Sequence, residues 1–547
     1  MLKKIVVALA ALALTANYFS YAHEQPYYAK ATKGHAEKPI VVVIPSYNNE
    51  HWYKLNLGSI FGQKYENYKV IYINDCSPDK TGQLVEQYIK ESGQEKRTTL
   101  INNPRNYGAM ANIYKAVHSC DDQAIIVTLD GDDWLKDENV FNRLNEIYQD
   151  PNVWMTYGQY EELHYKQNEK KYFTRHGHCK QIPPNIVRAN AYRETAWLSS
   201  HLRTFYAGLF KQIKLQDFLT DGNFYKVSWD MAFMIPLLEM AKGKFKFIED
   251  IVYVYNCITP LNDFKTKLQR QLHVSYVIRA KEKYNAIESP FRNIKASTQT
   301  DLVILAEQSP AQLYALLESV RMHMPDIATV YVIHNHDQAY QAVANDFKNA
   351  LFVPTDNLKT ALEQTIAESE NKYLLLAKDN MLVTDSVDIH TCVKTMEHTY
   401  AHGFYLSLGK NIQQHCALEA EQKIALHAEI TQGIHAWQFK DGQCDWKNPH
   451  NLAMTLYRKS DILPILKNIT YDSSKSLEQY FNTQKFDMEK VGLFFEKSKV
   501  VTLKPENKSN IVELFNNGMK INILPFFLLK NTSTLLKTNL SFDERKN

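Results

Sequence analysis

Three carboxylates lie within four residues of one another at Asp130, Asp132 and Asp133, with Gly131 between the first two. Like charges at this spacing repel one another unless a cation or water separates them. A magnesium-like ion relieves that repulsion, because it takes one or two protein carboxylates and fills its other positions with water and substrate phosphate oxygens. The spacing therefore predicts that Asp130 and Asp132 hold a divalent metal, Mn²⁺ or Mg²⁺, beside a diphosphate. A solvated acidic turn would show the same residues.

The elements around this turn follow from the pattern of apolar residues. Residues 124–129 are apolar and rich in β-branched side chains, which predicts a buried parallel strand running into the turn. Residues 40–44 and 69–73 predict two earlier strands, and helical patterns separate all three. This alternation predicts an α/β fold with a doubly wound, mostly parallel sheet.

Polar side chains follow each of these three strands. Tyr47 and Asn48 follow the first, Asp75 follows the second, and Asp130 and Asp132 follow the third. Ligands of open α/β sheets bind at the carboxyl ends of the strands. We therefore expect Asp75 to bind a base edge, Tyr47 to stack on the base, Asp130 to hold a ribose hydroxyl and Asp132 to hold the metal. Each residue taken singly would also suit an ordinary turn.

Four short motifs follow one another along this part of the chain. They are Val43-Ile44-Pro45-Ser46-Tyr47-Asn48, Asn74-Asp75-Cys76-Ser77 with Asp79 and Thr81, Asn106-Tyr107-Gly108 with Asn112, and Leu129-Asp130-Gly131-Asp132-Asp133. Over roughly residues 39–260 the chain thereby resembles the family 2 glycosyltransferases, which have the GT-A fold. The resemblance implies that a nucleotide-diphosphate sugar donor is bound by Pro45, Tyr47, Asn48, Asp75, Asn106, Gly108 and Asp130. Asn74 departs from the family pattern, since many members carry an acidic residue there.

The same resemblance places the acceptor side at residues 199–206 and 228–233. It implies that Asp230 is the catalytic base, which removes the proton of the acceptor hydroxyl in an inverting displacement. An acidic residue in the first turn of a helix would also be stabilised there by the helix dipole alone. His201 and Arg203 lie on this acceptor side, where they would bind diphosphate or metal. The acceptor itself would be a glycan, a lipid or a protein.

The pattern of the first half starts again after residue 298. Residues 301–305, 329–333 and 373–376 again predict strands, so we expect a second GT-A-like α/β domain whose donor site has decayed. In this interpretation Ala377 lies at the position of Asp130, Lys378 replaces the glycine and Asn335 lies at the position of Asp75. A lysine among the ligands would repel a divalent cation. Any α/β domain shows similar alternation, so a duplication is a hypothesis.

Length and charge limit the number of domains and the classes of ligand that the chain can bind. A chain of 547 residues suggests two or three domains, and 63 basic against 60 acidic residues give no field that would attract nucleic acid. The predicted divisions are a leader at 1–22, a GT-A domain at 39–288, a degenerate GT-A-like domain at 298–500 and a tail at 501–547. The seven cysteines form no Cys-x-x-Cys pair, which argues against a zinc site or a dense disulfide framework.

The N-terminus carries two lysines, an apolar run over residues 5–16 and a small-x-small site at Ser20-Tyr21-Ala22. These features predict a secretory signal peptide, and therefore a periplasmic, secreted or secretory-lumen protein. The alternative is a signal anchor, through which the chain would associate with a membrane.

These observations together predict a metal-dependent, inverting glycosyltransferase. A nucleotidyltransferase would need a glycine-rich, basic phosphate loop after the first strand, which residues 45–49 do not supply. The other alternative is an exported protein that binds carbohydrate or nucleotide without catalysis, which the leader favours because nucleotide sugars are scarce outside the cytosol and Golgi-like lumens.

Overall fold

The computed structural model describes residues 36–259, 267–292, 298–414, 421–506, 510–527 and 529–545, so the predicted leader lies outside the described residues. The chain divides into two compact units. The first comprises the residues up to Ile213 together with Phe224–Asn293, and the second comprises Lys214–Asn223 and the chain from Ile294 onwards. Within the described ranges, no helix has the length and apolar character needed to cross a membrane.

The first unit is built on one mixed sheet with strand order β3-β2-β1-β4-β8-β6-β11-β5, and β7 pairs with β6. Strands β1 to β4 run parallel, β8 is antiparallel to both β4 and β6, and β11 is parallel to β6. The prediction of an α/β fold is confirmed. The strands are β1 (Ile40–Ser46), β2 (Tyr68–Asn74), β3 (Thr98–Asn102), β4 (Ile125–Thr128), β5 (Trp134–Leu135), β6 (Met155–Lys166), β7 (Lys171–His176), β8 (Arg203–Tyr206) and β11 (Phe245–Asn256).

Helices cover the central strands, which is why every residue of β1 and β4 is buried. The helix Trp229–Ala241 is buried at every residue from Met231 onwards. The helices of the first unit are Tyr53–Phe61, Thr81–Glu91, Ala109–Ser119, Val140–Tyr148, Pro184–Ala189, Ala207–Phe210, Trp229–Ala241 and Leu268–Ala280. Between residues 214 and 224 the chain forms the 3₁₀ turn Leu215–Phe218 and the short strands β9 (Leu219–Thr220) and β10 (Asn223–Phe224).

A buried ion pair joins the helix Trp229–Ala241 to the loop before β8. Arg193 donates from Nε and Nη2 to the two carboxylate oxygens of Glu239, at 2.6 and 2.8 Å, and both side chains are almost fully buried. We expect Glu239→Ala to lower the free energy of unfolding by about 3–5 kcal/mol, because it leaves the guanidinium buried and unpaired. Urea titration measures this loss. The double variant with Arg193→Ala should lose less than the sum of the single variants, and strict additivity would contradict the coupling.

The second unit contains a sheet with the order β14-β13-β12-β15-β20-β17-β21-β19-β18. Its strands are β12 (Thr300–Ala306), β13 (Thr329–His334), β14 (Ala350–Pro354), β15 (Tyr373–Lys378), β17 (Gly403–Tyr405), β18 (His427–Thr431), β19 (Ile434–Gln438), β20 (Ala453–Arg458) and β21 (Val491–Phe495). Its helices are Pro310–His323, Ala339–Asp346, Leu358–Glu368, Ile389–Thr399, Lys459–Asn468, Ser474–Phe481 and Ile511–Asn516, with 3₁₀ turns at Phe439–Asp441, Cys444–Lys447 and Leu524–Phe526.

From β14 to β21, the second sheet repeats the strand order and directions that the first sheet has from β3 to β11. β12 is parallel to β13 and β15, β20 is antiparallel to β15 and β17, and β17 is parallel to β21, as in the corresponding strands of the first sheet. This is the arrangement that a second domain of the same architecture would have. The duplication itself stays a prediction.

The segment that we set apart as a tail contributes strands to the second unit. β22 (Val500–Pro505) pairs with β16 (Met381–Val383) and β24 (Leu535–Thr538), and β23 (Met519–Ile521) pairs with β25 (Phe542–Glu544). The pairing of β22 was not predicted, because it is the middle strand of its sheet and its partners β16 and β24 come from other parts of the sequence.

Strand register changes which residue of the second unit corresponds to Asp130. Val43 and Val303 each lie three residues before the end of their strands, β1 and β12. Asp130 follows the β4 partner of Val43 by two residues, and Lys378 follows the β15 partner of Val303 by two residues. Lys378, rather than Ala377, therefore lies at the position of Asp130. Its ammonium pairs with both carboxylate oxygens of Glu478, at 2.9 Å each, so a positive charge lies where the first unit has the carboxylate of Asp130.

Asp379, the residue after β15, makes the second unit sensitive to pH. Burial raises the pKa of its carboxyl to about 7, although Oδ2 accepts from the backbone N–H groups of Gln308 and Ser309. A raised pKa of a carboxyl adds to the free energy of unfolding. The full contribution is present below about pH 4 and is lost as the pH rises towards 7. Between about pH 5 and pH 8 we expect the free energy of unfolding to fall by about 2–3 kcal/mol more in the wild type than in Asp379→Asn. Parallel pH profiles for the two proteins would contradict this.

Candidate active site

The guanidinium of Arg203 lies between the carboxylate of Asp130, predicted to lie on the donor side, and that of Asp230, predicted to lie on the acceptor side. Its Nη1 donates to Oδ2 of Asp230 at 3.2 Å, and its Nη2 lies 3.5 Å from Oδ2 of Asp130. The arginine side chain is 1% exposed, whereas those of Asp130 and Asp230 are 23% and 21% exposed. The two carboxylates are therefore partly exposed and contact the same buried guanidinium.

Two elements fix this arrangement. Arg203 begins β8 and pairs in register with Thr128, the last residue of β4, which places it beside the acidic turn that follows β4. Asp230 lies in the first turn of the helix Trp229–Ala241, and the ring of Trp229 lies 5.1 Å from the guanidinium carbon of Arg203. The aromatic face and the two carboxylates together compensate the buried charge.

Gly131 is required by close packing within the acidic turn. A Cβ atom at this position would lie 2.6 Å from the side-chain nitrogen of Asn49 and 2.7 Å from Cβ of Ser46. These contacts are shorter than van der Waals distance, so only glycine lets the turn approach the end of β1. Packing therefore requires the glycine of the Asp-Gly-Asp sequence, independently of the predicted metal.

Asp133, the third acidic residue, is a fully buried support of the turn. Its Oδ2 accepts from the hydroxyl of Tyr253 at 2.5 Å, and its Oδ1 accepts from the backbone N–H of Asn256 at 2.7 Å. Burial raises the pKa of this carboxyl well above its usual range, and the charges of Asp132 and Asp130 raise it further. Both oxygens are already engaged, so Asp133 is less suited than its neighbours to hold a ligand.

Two amides fasten the backbone of the acidic turn. The buried side chain of Asn56 donates to the backbone carbonyl oxygens of Asp130 and Asp133, at 3.0 and 2.7 Å. The side chain of Asn256 donates to the backbone carbonyl oxygen of Asp132 at 3.1 Å. Sequence reasoning missed both asparagines. The available signal for Asn56 was a polar residue on the buried face of the helix Tyr53–Phe61.

His201 completes the site as a buried, neutral imidazole. Burial lowers its pKa well below the usual range, and the charge of Arg203 lowers it further. The ring stacks on Tyr253 and Tyr255, with centroids 4.5 and 5.1 Å away. Among the described residues its Nδ1 has no hydrogen-bond partner.

The donor atoms around the turn suit a divalent cation. Ligand atoms of Asp130, Asp133 and His201 all lie within 4.8 Å of one another. Both oxygens of Asp133 already accept hydrogen bonds, so Asp130 and His201 are the two of these residues better suited to take an ion. The unpartnered imidazole nitrogen and the mutual repulsion of the carboxylates are what a bound cation would relieve. The predicted ligand Asp132 lies beside this group, and the charge of its carboxylate acts on Asp133.

Asp75 organises the predicted nucleotide side. Its Oδ1 accepts from the backbone N–H of Tyr107 at 2.9 Å and its Oδ2 from that of Gly108 at 2.7 Å, while Asn106 donates to its carbonyl oxygen at 3.2 Å. The structure thus brings Asp75, Asn106 and Gly108 together, as predicted. Gly108 has φ 90° and lies against the ammonium of Lys226, which sequence reasoning did not single out. Binding of a base edge by Asp75 stays a prediction.

The remaining predicted residues lie at the end of β1. Pro45 is buried within β1 opposite Ile73, and Tyr47 beyond it is 43% exposed. Asn48 has φ 59°, and its backbone N–H donates to the hydroxyl of Ser77 at 3.0 Å. An exposed ring at this edge is available for stacking, which stays a prediction for Tyr47.

Much of this site lies in a part of the chain that matches a known protein family. The model of the family described as Glycosyl transferase family 2 matches residues 41–213. The chain is 29% identical over 135 residues to an uncharacterized glycosyltransferase of Haemophilus influenzae, covering 25% of this chain and 52% of that protein. It is 24% identical over 154 residues to the bifunctional glycosyltransferase pgtA of Dictyostelium discoideum, covering 26% of this chain and 20% of that protein.

A solved structure with some similarity is the mannosyltransferase PcManGT from Pyrobaculum calidifontis in complex with GDP-Man and Mn²⁺. It is 17% identical with a TM-score of 0.31, over 52% of this chain and 78% of that one. The chain spans between a fifth and about half of the length of the two curated relatives. Residues 41–213 of this chain form a family 2 glycosyltransferase domain.

Proposed function

We propose that the chain transfers a sugar from a nucleotide-diphosphate donor to a hydroxyl group of a glycan, lipid or protein acceptor, with a divalent metal and with inversion. The observation that carries this proposal is the position of Arg203, within 3.5 Å of Asp130 and 3.2 Å of Asp230. A displacement needs the leaving group and the attacking hydroxyl at one place, and these two partly exposed carboxylates contact one guanidinium.

The donor side is the acidic turn and the loop that Asp75 holds. Asp130 and Asp132 would hold the metal, with His201 close by. A bound Mn²⁺ or Mg²⁺ supplies positive charge for the departing diphosphate. The fixed backbone of the turn, held by Asn56, keeps the ligands in place before the donor arrives, so less ordering is required on binding.

The acceptor side is centred on Asp230. Its carboxylate accepts the proton of the acceptor hydroxyl while the hydroxyl oxygen forms a bond to the anomeric carbon. The bond from that carbon to the phosphate oxygen breaks, and the diphosphate leaves with the electron pair. Attack on the face opposite the leaving group inverts the configuration. Arg203 orients the carboxylate through its 3.2 Å contact.

A donor screen tests the proposal. The purified full chain is mixed with a panel of nucleotide sugars, with and without Mn²⁺, and both the melting temperature and donor hydrolysis are measured. A donor that binds the native state raises the melting temperature, and we expect metal-dependent hydrolysis of the same donor. A shift without hydrolysis would support the binding-protein alternative and overturn the proposal, as would equal hydrolysis in the presence of EDTA.

A further inference from the structure

A second group of potential metal ligands lies on the extension of β6 and β11. Glu162 and His164 are alternate residues of β6, so they project from the same face of the strand. Cys257 directly follows β11, and its backbone N–H donates to the carbonyl oxygen of Leu163 at 2.9 Å. The parallel pairing of β6 with β11 thus brings a carboxylate, an imidazole and a thiol together from distant parts of the sequence.

The three side chains converge on one point. One ligand atom from each lies within 4.8 Å of the others, and Oε2 of Glu162 lies 3.0 Å from Nε2 of His164. Cys257 is 5% exposed and is not part of a disulfide, whereas the side chains of Glu162 and His164 are 29% and 24% exposed. The group is therefore anchored in the protein on the sulfur side and open to solvent on the other.

We propose that Glu162, His164 and Cys257 bind a zinc-class transition-metal ion. Thiolate, imidazole and carboxylate are the ligands that Zn²⁺ takes in proteins, and three of them leave a fourth position for water. A tetrahedral site holds its ligand atoms about 3.4 Å apart, so modest side-chain rotation closes the present spacing. The site differs in chemistry from the acidic turn, where oxygen ligands favour Mg²⁺ or Mn²⁺.

The surroundings hold the ligands in place. The imidazole of His164 stacks on Phe173 of β7 at a centroid distance of 5.2 Å and an interplanar angle of 14°. Arg175, opposite Glu162 in the register of β6 and β7, places its guanidinium 5.3 Å from the ring of Phe173. A metal at this point would fasten the β6–β7 hairpin to the end of β11. The spacing of the cysteines in the sequence argued against a zinc site. It does not exclude this one, because its three ligands meet only in the folded chain.

Cobalt binding tests the assignment directly. The full chain is treated with EDTA, freed of chelator and titrated with Co²⁺, whose bond to a thiolate gives an intense charge-transfer absorption. We expect this band at about one equivalent of Co²⁺, its loss on addition of Zn²⁺, and a rise in melting temperature with Zn²⁺. Asp132→Ala should keep the band, so the result does not depend on the proposed transferase function.

Variants identify the ligands. Cys257→Ser should abolish the band, and His164→Ala, at a partly exposed position, should weaken Co²⁺ binding at least tenfold while circular dichroism stays unchanged. Cys120→Ser is the matched control, since Cys120 is another cysteine of the same unit outside a disulfide, and it should keep the band. Absence of the band in the wild type with excess Co²⁺, or its persistence in Cys257→Ser, would overturn the proposal.

Discussion

Asp230→Asn is expected to lower kcat by a factor of about 10²–10⁴ and to leave the donor Kd unchanged. Asparagine has the shape of aspartate and can still accept a hydrogen bond from Arg203, but it cannot take the proton of the acceptor hydroxyl. The loss therefore falls on the chemical step. Steady-state kinetics with the donor identified by the screen, together with calorimetric titration of the donor, separate kcat from binding.

Asp150→Asn serves as the control, because Asp150 lies at an exposed turn after the helix Val140–Tyr148 and should behave as wild type. A collapse of donor affinity in Asp230→Asn, with kcat nearly unchanged, would assign Asp230 to the donor side and contradict its role as base.

Asp132→Ala should reduce donor turnover by roughly 10³-fold or more, since losing a metal ligand removes several kcal/mol of charge stabilisation from the transition state. Asp132 is partly exposed, and the backbone of its turn is held by Asn56 and Asn256, so we expect the fold to persist. Initial rates at increasing Mn²⁺ concentrations would show this as a lost response to metal.

The matching experiment on the wild type uses chelation. EDTA should reduce the rate to that of Asp132→Ala, and added Mn²⁺ should restore it in the wild type alone. Full activity of the wild type at saturating donor without divalent metal would remove the metal from the proposed mechanism.

Much of the first unit could be predicted because its signals are local. The buried parallel strands β1 and β4 are continuous apolar runs, and parallel strands buried on both faces require such runs. The polar residues after them lie at the carboxyl edge by topology alone, which is how Asp75, Asn106 and Gly108 could be placed together from sequence.

The supports of the site could not be predicted, because they depend on pairing between distant segments. Tyr253 and Asn256 reach Asp133 only because β11 lies next to β5 and β6 at the far end of the sheet. Nothing in their local sequence distinguishes them from other residues of a strand. The one-residue difference at Lys378 has the same origin, since register depends on how the buried faces of both strands match and not on the residues of either strand alone.

The single guanidinium shared by Asp130 and Asp230 has a kinetic consequence. A cation bound with the donor would neutralise Asp130 and would leave Arg203 to Asp230 alone, so donor binding would alter the electrostatics around Asp230. We therefore expect compulsory ordered addition, in which the acceptor gains affinity only after the nucleotide sugar is seated. In product-inhibition kinetics, the released nucleoside diphosphate would then compete with the donor and not with the acceptor.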